Sequence, residues 1–348
     1  MNKKLIALAV GAAMAPMAAQ AETTAYSHIQ FELANIDNGT DSAMSVTDRE
    51  RGRIGLKGSE DIGGGMKAIG LVEFDFEGGN RDSEFGGNKT TSQTTTVGAG
   101  TLAHSHDVTT STRNALRIRE VMAGIKGSFG EVQIGTLKSA YKYTGGVKYD
   151  PFVTTTLEAR GNYGMSGGAM GHNAFINNAL GYKNKFGAVN VWVTYSLDET
   201  DTDNDGQGDD GQMTYGLKFG GGNFEAFLSG VDRGTSKADY SSNKLGGKFK
   251  MGNMALLGQY EMTDLNGTDR TNLFLGFQMN MGKNQIVAQY GVQEVDDSVD
   301  NDNDGTYLTV GLIHKFSKNA RAFVGYKSEE GEGTREETVT SVGLRVAI

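Results

Sequence analysis

The sequence has no cysteine and only two prolines, one of which, Pro16, lies close to the amino terminus. The lack of cysteine excludes disulfide bonds and fits an exported chain that uses none. Proline cannot donate a hydrogen bond to a strand ladder, so its scarcity suits an extended β-sheet. Beyond residue 21, no run reaches the ~20 apolar residues that a membrane-spanning helix needs. A helical membrane protein is therefore excluded.

Basic tracts and catalytic motifs are also missing. The formal net charge is -9, and an acidic chain without a basic tract is a poor nucleic-acid binder. None of the five histidines lies in an HExxH motif or beside a serine-nucleophile motif. We therefore expect neither a nucleic-acid partner nor an enzyme.

Residues 1–21 carry the three parts of a secretory signal peptide. Lys3 and Lys4 form the charged region, residues 5–15 form the apolar region, and Ala19-Gln20-Ala21 is a small-x-small cleavage site. We expect a signal peptide at 1–21 and one domain at 22–348. Loss of Lys3 and Lys4 leaves 31 basic and 42 acidic residues, so the mature charge is 31 − 42 = -11.

What the mature chain has in abundance is period-two alternation and glycine. Ile29, Phe31 and Leu33 alternate with His28, Gln30 and Glu32, and segments 284–293 and 338–348 alternate in the same way. Such alternation gives a strand one apolar and one polar face. The 51 glycines are about twice the typical ~7% share, which suits tight turns and places where strands bend.

Sixteen segments of this kind are predicted as strands, most of them near the ~9–11 residues that a tilted strand needs to cross a membrane. Because a closed sheet pairs every backbone group internally, it is the form in which strands can span hydrocarbon. The predicted strands are 26–36, 48–58, 65–77, 113–126, 130–137, 174–182, 188–197, 212–219, 224–232, 241–250, 254–263, 271–281, 284–292, 306–316, 320–328 and 338–348.

The connections between these strands alternate in length. Short turns such as 127–129 and 282–283 alternate with long loops at 78–112, 138–173, 198–211 and 293–305. Short periplasmic turns and long extracellular loops are typical of outer-membrane barrels. We predict an all-β fold, a 16-stranded antiparallel transmembrane β-barrel in the outer membrane of a Gram-negative bacterium.

Two motifs add a family resemblance. Residues 53–68 (RIGLKGSEDIGGGMKA) and 122–135 (MAGIKGSFGEVQIG) resemble strand–turn–strand segments of Gram-negative general porins of the Neisseria and Comamonas type. The resemblance implies a homotrimer whose water-filled channels let ions and small hydrophilic solutes diffuse passively. It also implies that the third loop folds into each barrel as a constriction. The chain departs from the family pattern at Ile348, where Phe is usual, and at Gly135-Thr136, where Gly-Arg is frequent.

Charges near the predicted constriction form two groups that would act across confined water. Strand parity turns a row of arginines inward as a basic wall, although a bulge near Val121–Ile125 would change the parity of the fourth strand. The alternative is that these are solvated charges near a rim. The predicted basic wall is Arg49, Arg51, Arg53, Arg113, Arg117 and Arg119, and the predicted loop-3 residues are Lys138, Asp150, Glu158 and Arg160. The arginines favour anions, whereas the acidic chain favours cations at the mouth.

Two acidic repeats match the first half of a calcium loop, D-x-[DN]-x-[DN]-G. They place Asp201, Asp203 and Asp205 in one loop and Asp300, Asp302 and Asp304 in another. Position 12 is Gln212 or Gly311 rather than a bidentate Glu, and the flanks are strands. We expect solvated loop tips and no cofactor, with weak Ca²⁺ binding beside lipopolysaccharide as the alternative.

Three other functions stay open. A substrate-selective channel on the same barrel would show an aromatic slide, and the chain has a single tryptophan, Trp192. A barrel enzyme would show a catalytic constellation on one strand face. A barrel adhesin is grouped with the enzyme as the second alternative. A secreted β-sandwich is the last alternative, but outward Leu308, Val310 and Leu312 suit lipid better than water. The expected partners are therefore a second and third copy of the chain, outer-membrane lipid and lipopolysaccharide, and small hydrophilic solutes and ions.

Overall fold

The structure, a computed structural model, describes most of the chain beyond the predicted signal peptide. The described residues are 22–49, 52–76, 89–94, 105–110, 116–166, 175–197, 211–233, 240–265, 267–296, 304–331 and 336–348, with only the backbone described at 89–94 and 105–110. The predicted signal peptide lies outside these residues and stays a prediction.

The described chain is built almost entirely of antiparallel strands. The first eight are β1 (Glu22–Asp37), β2 (Ser42–Thr47), β3 (Gly52–Gly63), β4 (Met66–Phe76), β5 (Lys89–Thr94), β6 (Ser105–Thr110), β7 (Leu116–Gly127) and β8 (Gly130–Lys138). A short helix α1 (Ala140–Thr144) and a 3-10 turn (Gly146–Lys148) follow. The remaining strands are β9 (Phe175–Phe186), β10 (Val189–Ser196), β11 (Gln212–Gly221), β12 (Phe224–Arg233), β13 (Tyr240–Met251), β14 (Met254–Leu265), β15 (Thr268–Met281), β16 (Asn284–Asp296), β17 (Gly305–Lys315), β18 (Ala320–Gly331) and β19 (Glu336–Ala347).

The large sheet closes on itself because β1 pairs with β19 as well as with β2 and β3. Since β2 and β3 both pair with β1, they form one interrupted barrel strand, and the count is sixteen. The prediction of a closed 16-stranded antiparallel barrel is confirmed. β5 and β6 form a separate hairpin within the predicted long loop 78–112.

The second barrel strand differs from its predicted range of 48–58. It begins at Ser42, stops after Thr47 and resumes at Gly52. Arg49 in the interruption has φ of 51°, a left-handed conformation that an extended strand cannot contain. None of residues 48–51 is a glycine, so the sequence gives no signal of the break.

The barrel is apolar outside and polar inside, which is the reverse of a soluble sandwich. Phe31 and Leu33 on β1 are exposed on the outer face, whereas Gln30 and Glu32, which alternate with them along the strand, are 1% and 2% exposed. The alternation predicted for β1, β16 and β19 is therefore confirmed. No helix in the described part of the chain is long or apolar enough to cross a membrane.

A bulge shifts the parity of β7 where the sequence pattern was contradictory. Glu73 of β4 pairs with Glu120 and Phe74 pairs with Ile118, so Arg119 is the extra residue. A classic bulge lets two successive side chains point to the same side of a sheet. Both Arg119 and Glu120 are consequently buried.

The segment 139–166, here called the constriction loop, packs against the inner face of the barrel. Its apolar residues join two clusters with inward side chains of the wall. One cluster contains Tyr149, Ala159, Met165, Phe227, Ala255, Leu257, Phe274 and Tyr307. The other contains Phe152, Leu157, Ala34, Val287, Ile313, Phe323 and Val339.

Candidate functional site: the pore constriction

Buried carboxylates of the wall hold the constriction loop by accepting hydrogen bonds from it. Glu32 of β1 accepts from the Thr156 backbone N–H at 3.0 Å and from its hydroxyl at 2.7 Å. The Ser341 hydroxyl on β19 donates to the same carboxylate at 2.8 Å. Because a buried carboxylate needs several donors to offset its lost hydration, this group fixes the loop to the β1–β19 seam.

A second wall carboxylate holds the two ends of the loop together. Glu261 of β14 accepts from the Ser166 N–H at 3.0 Å, from the Ser166 hydroxyl at 2.8 Å and from the Tyr141 hydroxyl. The Lys244 ammonium lies 3.9 Å from the centre of the Tyr141 ring. The beginning and the end of the constriction loop therefore meet on one side of the barrel.

Asp150 lies behind the loop, against β16, and not on the pore-facing side that the sequence predicts. Its carboxylate accepts from the N–H groups of Phe152 and Ala159 at 2.8 and 2.9 Å and from the Gln289 amide at 2.8 Å. Burial raises the pKa of Asp150 to about 6, and these hydrogen bonds oppose the rise. Its role in the structure is to anchor the loop.

Glu158 faces a cluster of two predicted arginines. Arg160 binds this carboxylate at 3.2 Å, and Arg49 approaches it to 3.7 Å from the interruption between β2 and β3. The Thr154 N–H also donates to Glu158 at 2.9 Å. The structure therefore brings together Arg49, Glu158 and Arg160, which the sequence places in two separate groups.

The arginines of β7 are paired with carboxylates of the neighbouring strand β4. Arg119 binds Glu73 at 2.7 Å and Asp75 at 3.0 Å, and Arg117 binds Asp75 at 2.9 Å. The Phe175 ring lies 4.5 Å from the Arg119 guanidinium. These two arginines are consequently neutralised in part, and the wall is mixed in charge rather than basic.

Arg53 lies at the edge of this network. It pairs in register with Asp75 across β3 and β4, and its Nε has no hydrogen-bond partner among the described residues. The Tyr26 hydroxyl donates to Glu73 at 2.6 Å, passing over Gly55, where an added Cβ would lie 2.5 Å from the tyrosine ring. Among the described arginines of the wall, Arg53 is therefore the one with no described carboxylate at ion-pair distance.

Lys138, the last residue of β8, binds Glu120 at 2.5 Å, so the carboxylate next to the bulge residue Arg119 neutralises it. Glu73 and Asp75 on β4 were not identified from the sequence, and Glu120 on β7 was not identified from it either. Inward parity of β4 was the signal that could have revealed the first two, whereas Glu120 turns inward because of the bulge.

Several predicted residues lie outside the described part of the chain. They are Arg51, Arg113, Asp201, Asp203, Asp205, Asp300 and Asp302. Asp304 is described, and it accepts a hydrogen bond from the Val295 N–H at 2.6 Å. No group of three or more acidic or histidine side chains in the described ranges is placed to hold a metal ion.

A closed barrel with a polar, charged interior narrowed by an inward loop defines a membrane channel. A family model described as Gram-negative porin matches residues 6–334. The chain belongs to the Gram-negative porin family. It is an outer-membrane channel through which ions and small hydrophilic solutes diffuse passively.

Individual relatives agree with this assignment. Outer membrane porin protein 32 of Delftia acidovorans is 26% identical over 374 residues, covering 99% of this chain and 95% of the relative. The anion-selective porin from Comamonas acidovorans matches with a TM-score of 0.73 at 20% identity, covering 94% of this chain and 100% of that one. The trimer form of OmpT of Vibrio cholerae matches with a TM-score of 0.64 at 15% identity, covering 94% and 100%. Porins are not a class of enzyme.

Proposed function

We propose that this porin is a general diffusion channel with a preference for anions, and that it works as a homotrimer. The observation that carries the ion preference is the surplus of cations among the described residues of the constriction. Apart from the buried charged groups that anchor the loop to the wall (Glu32, Asp150, Glu261 and Lys244), six basic and four acidic side chains lie there, which leaves a charge of 6 − 4 = +2. They are Arg49, Arg53, Arg117, Arg119, Lys138 and Arg160 against Glu73, Asp75, Glu120 and Glu158.

The acidic character of the whole chain opposes this preference only at a distance. Charges at the channel mouths are screened within about 8–10 Å at physiological salt. Charges at the constriction act across a few ångströms of confined water, where ions must give up part of their hydration. The local surplus therefore outweighs the net charge of -9 of the whole chain. The Comamonas relative, an anion-selective porin, supports this reasoning.

General diffusion is favoured over a specific sugar channel because four large inward aromatic side chains of the barrel wall are covered by the constriction loop. Phe227, Phe274, Tyr307 and Phe323 are each less than 5% exposed. An aromatic slide needs ring faces that touch the solute.

We also propose that the channel performs no catalysis and needs no cofactor, and that the acidic repeats are solvated loop tips. A rise in thermal stability with added Ca²⁺ would contradict the last point.

The homotrimer is supported by the family resemblance and by the trimer form recorded for the Vibrio relative. The outer face also offers the extended apolar surface that neighbouring barrels or lipid must cover. Native mass spectrometry in detergent tests this part of the proposal, with a trimer as the expected species. A monomer at all protein concentrations would reject it.

Reversal potentials in planar bilayers under a KCl gradient test the ion preference. We expect an anion-selective channel, and R53Q is expected to reduce the selectivity because it removes an arginine of the constriction. K283Q, which removes the same charge from a short turn, is the control and is expected to leave the selectivity unchanged. Cation selectivity of the wild-type channel would overturn the proposal.

A further inference from the structure

A cavity of about 500 Å³ opens below the constriction loop, at the rim formed by the short turns. The strand residues that line it come from β7 to β11, close to the turns that end at Gly130 and Val189. Short turns face the periplasm in outer-membrane barrels. The cavity is therefore a chamber that solutes cross on the periplasmic side of the constriction.

Lysines dominate the wall of this chamber. A smaller cavity of about 230 Å³ adjoins it and shares Asn190 and Lys218 with it. Together the two cavities are lined by seven lysines and two carboxylates, a charge of 7 − 2 = +5. The residues are Lys126, Lys148, Lys183, Lys185, Lys218, Lys248 and Lys250, with Glu131 and Glu225. We call this set the lysine vestibule.

Most of these lysines have no local counter-charge. Lys218 binds Glu225 at 2.7 Å, and Lys126 lies 3.8 Å from Glu131. Within the described ranges, the other five have no carboxylate at ion-pair distance. The vestibule therefore differs from the constriction above it, where Glu73, Asp75, Glu120 and Glu158 each bind an arginine or a lysine.

Two of the uncompensated lysines are held in place by their surroundings. The Lys183 ammonium lies 4.1 Å from the centre of the Trp192 ring, and the Tyr143 ring stacks on that indole at 6.2 Å. Lys148 projects from the 3-10 turn of the constriction loop towards the same cavity. Burial and, secondarily, the neighbouring Lys218 ammonium lower the pKa of Lys148.

We propose that the lysine vestibule is a binding subsite for compact anions that carry two or more negative charges, of which pyrophosphate is a suitable probe. This inference rests on the proposed anion preference and adds a place and a ligand class to it. Lysine offers several rotatable donors around a point charge, so a group of lysines can surround an oxyanion. The favourable electrostatic energy of an anion in the vestibule is proportional to its charge. A multivalent anion is therefore stabilised there more strongly than chloride.

The experiment measures block of single-channel chloride current by pyrophosphate added to each side of an oriented bilayer. Wild type is expected to show a lower half-blocking concentration from the short-turn side. The variant K148Q/K183Q/K185Q is expected to raise that concentration about tenfold, a change equivalent to about 1.4 kcal/mol. Heat-modifiable electrophoretic mobility establishes that each variant forms the barrel.

The matched control is K283Q/K315Q/K318Q, which removes three exposed lysines from the same rim but outside the vestibule. An equal shift in the control, or no shift in the vestibule variant, would overturn the subsite. Reversal potentials recorded on the same channels separate the two proposals. Cation selectivity together with lysine-dependent block would reject only the anion preference, whereas anion selectivity without block would reject only the subsite.

Discussion

Arg119 binds Glu73 at 2.7 Å across the pair of strands in which Arg119 itself forms a bulge. The pair shows that this part of the wall carries balanced opposite charges and not arginines alone. Removal of the Glu73 charge should therefore shift the selectivity towards anions, and removal of the Arg119 charge should shift it towards cations.

The Glu73→Gln substitution tests this balance. A unit charge acts on an ion ~10 Å away in water with about 0.4 kcal/mol, so the ratio of anion to cation permeability should rise about two- to fourfold. R119Q should lower the ratio by a similar factor. Reversal potentials measure both changes, and the exposed Glu22→Gln serves as the control. An unchanged ratio in both variants would show that the pair lies off the ion path.

The Glu32→Gln substitution should loosen the constriction loop. The carboxylate accepts from Thr156 and Ser341, and an amide would direct its NH₂ at one of these donors. We expect a loss of about 2–3 kcal/mol in local stability, against about 1 kcal/mol for S341A, which removes one donor. Open-channel current noise should rise in E32Q and much less in S341A. Equal noise in the two variants would contradict an anchoring role for Glu32.

A methyl group at Gly291 should displace the end of the constriction loop. An added Cβ there would lie 2.3 Å from the Gly164 Cα, and this backbone atom cannot rotate away. We expect G291A to lower the thermal midpoint and change the conductance, since overpacking typically costs about 1–3 kcal/mol. G276A on the neighbouring strand is the control, because its Cβ would meet nothing closer than 3.4 Å. Similar behaviour of the two variants would refute the predicted contact.

The stability of the wild-type channel relative to D150N should depend on pH. Burial raises the pKa of Asp150 from 3.8 to about 6, so the folded state binds the proton more tightly than the unfolded state. The contribution of the protonated group is then fully present below pH 3.8 and is lost as pH rises through about 6. At 1.36 kcal/mol per pKa unit, the loss is about 3 kcal/mol.

Thermal midpoints in detergent between pH 4 and pH 7 measure this difference. The wild type is expected to lose stability relative to D150N as the pH rises over this range. A difference that stays constant with pH would show that Asp150 has the same proton affinity in both states. D61N, which changes an exposed turn carboxylate, controls for the loss of one negative charge.

The sequence predicted the strands well because their physics is local. The alternation of Phe31 and Leu33 with Gln30 and Glu32 can be recognised from neighbouring residues alone, and so can the turns. The same is true of the conflict in side-chain parity along β7, which the bulge at Arg119 resolves. The break after Thr47 was not predicted, because the left-handed conformation of Arg49 has no composition signal. Hydrophobic period alone cannot show such a local departure from extended geometry.

The constriction was harder to predict because its partners are set by register between strands. The sequence places Arg119 in a basic wall facing the loop-3 charges, whereas its pairing with Glu73 depends on a bulge that shifts one strand by one residue. Asp150 was expected in the pore because the sequence cannot show which side of a loop meets the wall. The lysine vestibule combines Lys183 with Lys218, which lie on strands β9 and β11 and come to the same face of the sheet only when both strands pair with β10.

The pairing of β1 with β19 sets an order of events during biogenesis. Ser27 and Ile348 exchange two backbone hydrogen bonds of 2.9 Å, so the seam joins the earliest described strand to the last. A nascent chain that has not yet reached residue 336 leaves β1 with an unpaired edge, which is prone to aggregation. The barrel can therefore close only after its last described strand has been delivered to β1, and until then the edge of β1 needs protection from other strands.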